Sequence, residues 1–360
     1  MVSWSRKERF AQDLLAWYDR ERRDLPWRRE PSAYRTLVSE LMLQQTVVGA
    51  VVPYFERFIA RFPTIRDLAM AEDDQVMALW SGLGYYRRAR HLHQAARIVV
   101  QERGGELPCR EEDLRRLPGI GEYTAAAVAA IAFGQPTLPV DGNVARVLAR
   151  LLGESAPLDR PSTRALLRKA GQGLVPADRP GDFSQAMMEL GALCCTPRNP
   201  SCQVCPVARF CQTRLRGVTA SIPARTKKPA RRHLRLVAVA VERRGRLLLR
   251  RCPDQGLLAR TWVLPLQDLD GQGTPLQAAK TALAMLGLRL QGIPRSMGEI
   301  RHVFTHRDAK VLVLRARAGG RVTGADARWL RPEEMKDLPL SSFSRKMIAC
   351  ARDGGLSVAE

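Results

Sequence analysis

The sequence predicts a multidomain protein, with an all-α domain followed by a smaller α+β domain. Three observations lead there. At roughly 150 residues per domain, 360 residues suggest two domains. Apolar residues recur with helical spacing to about residue 193, and with a period of two after about residue 233. Between them, Thr213–Arg232 follows neither pattern. It carries Ile222, Pro223, Arg225, Lys227, Lys228, Pro229, Arg231 and Arg232, and reads as a basic, Pro-containing linker. The expected division is 1–212, a linker at 213–232, and 233–360.

The elements follow from local patterns. Phe10, Leu14 and Trp17 lie on one helical stripe, and Leu37, Leu41 and Val48 on another, within a helix expected over Tyr34–Val48. A short helix is expected at Glu111–Arg116, an Ala-rich helix over Ala125–Ala132, and a helix over Val144–Leu152 with Val144, Val147, Leu148 and Leu151 on its apolar face. Beyond the linker, Leu234–Val241 and Arg246–Arg250 flank Arg243-Arg244-Gly245, a hairpin signal. Ile300–Thr305 and Lys310–Arg315 are further strand candidates, and Leu276–Leu286 is a helix.

Composition narrows the class. Lys and Arg number 58 against 36 Asp and Glu, a formal net charge of +22, which points to a polyanionic partner, nucleic acid first. The alternative is an arginine-rich composition whose excess charge is merely solvated. A hydrophobic content of 45% excludes a disordered chain. No run of about 18 uncharged apolar residues exists to span a membrane, and Met1–Lys7 holds no apolar signal core. The expectation is a cytoplasmic, nucleoid-associated protein with no membrane partner.

Four of the eight cysteines, Cys195, Cys202, Cys205 and Cys211, fall in one window spaced C-x6-C-x2-C-x5-C. A disulfide framework is unexpected in a large chain without an export signal. Zinc sites usually pair two CxxC-like motifs across a longer loop. One CxxC flanked by isolated cysteines better suits one four-iron four-sulfur cluster wrapped by a single loop. Cys194 is the alternate for the first ligand. Cys109, Cys252 and Cys350 stand alone and read as small hydrophobes.

Two carboxylates draw chemical interest. Glu40 falls on the apolar stripe of its helix, where ionisation is costly and the pKa should rise, as a general acid requires. The plain alternative is a buried Glu paired with an arginine. Asp141, in Pro139-Val140-Asp141-Gly142-Asn143, sits where a helix N-cap belongs, and the positive helix end should keep it ionised. Two carboxylates pushed apart in pKa suit glycosyl chemistry. Finally, Leu117-Pro118-Gly119-Ile120-Gly121 joins a short helix to one opening near Tyr123. Gly119 and Gly121 in that turn would aim backbone N–H groups at an anion, a helix-hairpin-helix grip on phosphate that ignores base sequence.

Together these motifs resemble the helix-hairpin-helix DNA glycosylases with an iron–sulfur loop, and within them the adenine DNA glycosylase (MutY) family. The strings that carry the resemblance are Leu25-Pro26-Trp27-Arg28, Ser39-Glu40-Leu41-Met42-Leu43-Gln44-Gln45-Thr46, Gly82-Leu83-Gly84-Tyr85-Tyr86, Leu117–Thr124, Val140-Asp141-Gly142-Asn143-Val144 and the four cysteines. They span residues 25–211 in the family's order. The second domain, with Phe304-Thr305-His306, resembles the family's Nudix-like recognition domain.

The resemblance implies a monomeric base-excision-repair enzyme acting on double-stranded DNA that contains adenine opposite 8-oxoguanine or guanine. It would flip the adenine out and hydrolyse its N-glycosidic bond. Glu40 matches the acid that protonates adenine N7, and Asp141 the carboxylate that stabilises or covalently traps the cationic sugar. Tyr123 and Asn143 flank this centre, and Trp27 and Arg28 match the adenine pocket. Gln45, Leu83 and Tyr85 match residues that fill the vacated space and meet the 8-oxoguanine side. Phe304, Thr305 and His306 would supply a wedge, a hydroxyl and an imidazole, with threonine where relatives often have serine. Bifunctional relatives carry a lysine where Tyr123 stands, and some family members one where Ala145 stands, so a monofunctional enzyme is expected. Pro275–Leu288 holds no acid, so the second domain lacks the metal ligands of a Nudix hydrolase and reads as a binding module. Two other readings stay open: a related glycosylase with other mismatch or damaged-pyrimidine specificity, and a non-catalytic, redox-sensing DNA-binding protein.

Overall fold

The computed structural model describes residues 4–224, 230–256, 258–269, 273–324, 326–335 and 338–353. The linker residues Arg225, Lys227, Lys228 and Pro229 lie outside the described residues. Helices run in the order α1 Trp4–Glu21, α2 Pro26–Arg29, α3 Ala33–Leu43, α4 Val48–Arg61, α5 Ile65–Met70, α6 Asp73–Leu79, α7 Arg87–Arg103, α8 Glu111–Leu114, α9 Glu122–Phe133, α10 Gly142–Leu152, α11 Pro161–Gln172, α12 Pro180–Glu189 and α13 Gln212–Leu215. Strands follow as β1 Arg232–Arg243, β2 Arg246–Arg251, β3 Trp262–Val263, β4 Leu266–Asp268, then helix α14 Pro275–Ala284, β5 Leu288–Val303, β6 Arg307–Gly320, β7 Ala327–Leu330 and helix α15 Ser342–Asp353.

By contact, the chain forms two units. One comprises 1–70 with 91–227, and the other 71–90 with 228–360. Residues 71–90 fall inside the span 1–212 expected to be the first domain, yet they group with the C-terminal residues. Side chains bond the two segments: Asp73 pairs with Arg260, Asp74 with Arg251, and Ser81 with the Leu340 peptide.

The helical unit buries the faces its periodicity marks. Phe10, Leu14 and Tyr18 of α1 pack with Val144, Val147 and Leu148 of α10, Leu167 of α11, and Phe183 and Met187 of α12. Helix α9 has no polar face along Ala125–Ala130. Its small side chains are all buried, which lets neighbouring helices approach closely. The helix expected over Tyr34–Val48 stops at Leu43. Gln44 leaves helical geometry, Gln45 takes φ +56°, and α4 starts at Val48. No glycine or proline in the sequence announces that break.

The second unit is a seven-stranded sheet in the order β3-β2-β1-β6-β5, with β4 on β1 and β7 on β2. Its β1–β6 pair is parallel, and β1–β2 and β5–β6 are antiparallel. Successive residues of a strand face opposite ways. Val237, Val239 and Val241 therefore pack under α14, while Leu234, Ala238 and Ala240 lie on the α15 face with Val311 and Val313. A helix on each face explains why central β1 is apolar on both sides. Cys252 and Cys350 pack against this core as expected, whereas Cys109 is exposed and serves no core. Among the described residues no helix is long and apolar enough to cross a membrane.

Candidate active site and cysteine loop

A cavity of about 910 Å³ opens in the helical unit. Trp27 and Arg28 of α2, Glu40 of α3, Gln44 and Gln45 of the following turn, Gly119, Gly121 and Tyr123 from the glycine turn and α9, Asp141 and Asn143 at the start of α10, and Glu189 at the end of α12 all line it. That volume suits a base with its sugar.

Glu40 is 5% exposed. Tyr123, in the first turn of α9, donates its hydroxyl to Glu40 Oε2 at 2.7 Å. Burial pushes the Glu40 carboxyl up to about 7, against the lowering effect of the Tyr123 bond; the nearby Asp141 charge adds to the rise and Arg28 offsets part of it. The same burial, with Glu40 and Asp141 beside it, holds the Tyr123 phenol well above its ordinary range, so it stays a donor.

Asp141 is the N-cap of α10. Its Oδ1 accepts from Val144 N at 2.7 Å and its Oδ2 from Asn143 Nδ2 at 3.0 Å. The sequence leads one to expect the two carboxyls to be pushed in opposite directions, and here the structure corrects it. Burial raises the Asp141 pKa too, and outweighs the bonds from Val144 and Asn143 and the charge of Arg146. The carboxyls differ instead in their donors. Two groups of its own helix bind the Asp141 carboxylate, whereas one phenol binds Glu40.

Two arginines of α10 tie this centre to the cysteine loop. Arg146 donates to Asn143 Oδ1 at 2.9 Å, to Gly191 O at 2.7 Å and to Cys195 O at 2.9 Å. Arg150 donates to Thr196 O at 2.7 Å and to Cys195 Sγ at 3.3 Å. Cys195 follows a π-helical turn at Leu190–Cys194, and Cys211 leads into α13. Among the described residues no three His, Cys, Asp or Glu side chains form a single-ion site. The donor set of Cys195, Cys202, Cys205 and Cys211 is purely thiol, with a guanidinium beside one sulfur to offset thiolate charge. It fits a four-iron four-sulfur cluster.

The glycine turn is as expected. Gly119 has φ +75°, and a Cβ there would stand 2.4 Å from His91 Cβ. Gly121 caps α9, leaving the first backbone N–H groups of that helix open to an anion.

Sequence reasoning missed Glu189, Arg23 and Arg146. Glu189 is 0% exposed and grips two cavity arginines: Arg23 Nε lies 2.9 Å from Oε2, and Arg28 Nη1 2.6 Å from Oε1. Burial alone would raise this carboxyl, but hydrogen bonds from Arg23 and Arg28 hold it below the ordinary range. Its signal was an acid within the apolar run Met187-Met188-Glu189-Leu190, the same cue that exposed Glu40. Trp27 is buried edge-on to Phe55, 5.3 Å between ring centres.

Leu83, Tyr85, Phe304, Thr305 and His306 all belong to the second unit. Tyr85 is 43% exposed, and its hydroxyl bonds Thr305 Oγ1. Leu83 is buried and His306 exposed. Phe304 packs edge-on to His302 and Phe343, so its ring is partly committed to the core. Arg88 is buried and donates to Gly84 O. Gln45 and Tyr85 are two of five non-glycine residues with positive φ among the described residues, a strain that collects at functional sites.

Comparison with known proteins places these features. Residues 38–172 match the HhH-GPD superfamily of base excision DNA repair proteins, 195–211 the iron–sulfur binding domain of endonuclease III, and 236–350 the NUDIX domain. The adenine DNA glycosylase of Rattus norvegicus is 36% identical over 398 residues, covering 94% of this chain and 77% of that protein. That of Mycolicibacterium smegmatis is 43% identical over 237 residues, 66% of this chain and 78% of that protein. The solved structure of a thermostable thymine-DNA glycosylase superposes with TM-score 0.53 at 28% identity, over 59% of this chain and 98% of its own.

Two expectations follow from the geometry. Because folding raises the Glu40 pKa from 4.5 to about 7, its burial is harmless at low pH and costs stability as pH rises between those values. Glu40→Gln should therefore unfold at higher denaturant than the parent at pH 8, by about 3 kcal/mol, with little gain at pH 5. Equal gains at both pH values would mean that Glu40 is ionised throughout. Gly119→Ala should lose at least about 1–2 kcal/mol of stability from backbone strain, before the clash with His91, and bind duplex DNA more weakly. Unchanged denaturation and DNA affinity would remove the turn from the binding surface.

Proposed function

The chain belongs to the adenine DNA glycosylase family, and from that premise we propose that it removes adenine mispaired with 8-oxoguanine or guanine in duplex DNA, as a monofunctional enzyme. It is a base-excision-repair DNA glycosylase that holds a four-iron four-sulfur cluster on Cys195, Cys202, Cys205 and Cys211. The observation that carries the mechanistic reading is the pairing of Glu40 and Asp141 in one cavity. A non-catalytic DNA binder has no use for a carboxyl held protonated near neutrality.

Excision begins with the adenine flipped into the cavity. Its Watson–Crick edge presents an acceptor at N1 and a donor at N6. Arg28 and Glu189, already bonded to each other, offer a donor and an acceptor that match. Glu40, protonated below about 7, transfers its proton to N7. Tyr123 then steadies the resulting carboxylate through Oε2. Protonation makes adenine a better leaving group. The C1′–N9 bond breaks with its electron pair going to the base, and the sugar becomes an oxocarbenium cation. The Asp141 carboxylate stabilises that cation, held in place by Val144 N, Asn143 and, through Asn143, Arg146. Water adds at C1′ and releases a proton, leaving an abasic site. Neither Tyr123 nor Ala145 offers an amine for a Schiff base, so the strand stays intact. Cys195, Cys202, Cys205 and Cys211 would hold the cluster, which would brace the loop whose Cys195 carbonyl accepts from Arg146.

The second unit supports recognition rather than hydrolysis, since α14 carries no acidic residue. We place the protein in the cytoplasm at the nucleoid, acting as a monomer. The thymine-DNA glycosylase match makes thymine excision from mismatches the second reading. A panel of duplexes under single-turnover conditions separates the two: adenine release opposite 8-oxoguanine and guanine supports the proposal, and thymine release in its place overturns it.

Two outcomes test the mechanism. Asp141→Asn should still cap α10 and bind mispaired DNA, but excise at least about 10²-fold more slowly. Excision near the parental rate would reduce Asp141 to a structural cap. Glu40 must be protonated to act, so the single-turnover rate should fall about tenfold per pH unit above about 7. A flat profile from pH 6 to 9 would exclude Glu40 as the acid.

A further inference from the structure

Ser81 was singled out by no motif, yet its hydroxyl makes three hydrogen bonds at the turn that carries Tyr85. It is 8% exposed. Its Oγ donates to Leu340 O and accepts from Leu340 N at 3.1 Å and from Arg345 Nη2 at 3.2 Å. One donor and two lone pairs are the whole capacity of a hydroxyl.

The turn above it needs such an anchor. Gly82, Gly84 and Tyr85 have φ of 105°, 78° and 49°. A non-glycine residue in that region is strained, and persists only where its surroundings over-determine it. The other restraints are present. Tyr86 OH accepts from Gly82 N at 3.1 Å and also lies 3.5 Å from Leu340 O, while Trp80 Nε1 and Arg88 Nη2 both donate to Gly84 O at 3.1 Å. At the tip, the Tyr85 hydroxyl meets Thr305 Oγ1.

Thr305 lies in the turn between β5 and β6, and that turn is fastened to the same place. Phe304 packs on Phe343 with ring centres 5.3 Å apart, three residues beyond Leu340. The segment Leu340–Phe343 thus fixes two loops at once, one through Ser81 and the other through Phe343. Its own geometry is locked by Ser341 Oγ, which bonds Ser344 N at 3.0 Å and Ser344 Oγ at 2.8 Å.

We infer that Ser81 is a positioning residue for mispair discrimination: by keying the Gly82–Tyr85 turn to Leu340 and Arg345, it sets the Tyr85–Thr305 hydroxyl pair at the spacing that distinguishes 8-oxoguanine from guanine. This rests on the mispair reading proposed above. The chemistry suits the pair. 8-Oxoguanine presents a donor at N7 and an acceptor at C8, where guanine presents an acceptor and a C–H. Two exposed hydroxyls that can each donate or accept fit that donor–acceptor edge, provided their relative position is fixed.

The test uses the full-length, cluster-loaded protein and duplexes with 2′-fluoro-2′-deoxyadenosine, which resists cleavage, opposite 8-oxoguanine or guanine. Ser81→Ala should weaken binding to the 8-oxoguanine duplex about tenfold and to the guanine duplex less than about twofold. The excision rate at saturating DNA should stay within about twofold, because Ser81 touches no reacting group. In a Thr305→Ala background, Ser81→Ala should have no further effect on the ratio, since both changes act through one hydroxyl pair. Additive losses, equal losses on both duplexes, or an unchanged ratio would overturn the inference. If Ser81→Ala fails to fold by thermal melting, Arg345→Gln removes one of the three bonds from the surface and is read by the same criteria. A parent protein that shows no preference for 8-oxoguanine indicts the mispair reading, which separates that failure from this one.

Discussion

Burying a carboxyl with one phenol for company costs free energy unless the group keeps its proton, and Glu40 is in that position. The helical unit is arranged to make the burial hold. Helix α3 turns its apolar face inward and carries Glu40 with it, α9 brings Tyr123 across, and α10 opens on its N-cap, Asp141. If any of these withdrew, water would enter and Glu40 would return to the ordinary carboxylate range. The same exclusion of water strengthens the field of Asp141 inside the cavity. The acid and the anion therefore depend on one packing arrangement.

Asp141 in turn depends on a network that reaches beyond its helix. Arg146 spans from Asn143 to the carbonyls of Gly191 and Cys195, and Arg150 from the Cys195 sulfur to the carbonyls of Thr196 and Ile222. Buried guanidinium groups bonded mainly to carbonyls are tolerable because their fixed fork of donors is satisfied. The cysteine loop consequently serves as a floor for α10. On the far wall, Glu189 is wholly buried between Arg23 and Arg28, an arrangement in which losing one partner strands a charge. That edge of the cavity is held in place by this constraint.

The second unit applies the same logic to a sheet. Central β1 is covered on both faces, by α14 and α15, and the turns that carry Tyr85 and Thr305 lie outside the sheet. Those turns are strained or exposed, and they stay in place because Leu340, Phe343 and the Ser341 cap are not. Helix α14 of this sheet carries no acidic residue.

Much of this was legible in the sequence where the physics is local. A glycine turn before a helix, an Asp at an N-cap and an acid on an apolar stripe each involve residues a few positions apart, and each stands in the structure as read. What tertiary structure alone decided involves long separations. Glu189 meets residues more than 160 positions away, and Ser81 bonds a peptide 259 residues along the chain. The direction of the Asp141 shift belongs here too, because burial by distant helices outweighed the local cap that predicted the opposite. The break at Gln45 and the seating of Phe304 on Phe343 likewise carry no local signal. Short-range patterns fix which backbone a segment prefers. Which charges lose their water, and which loops share an anchor, is settled only when segments far apart in sequence close on one another.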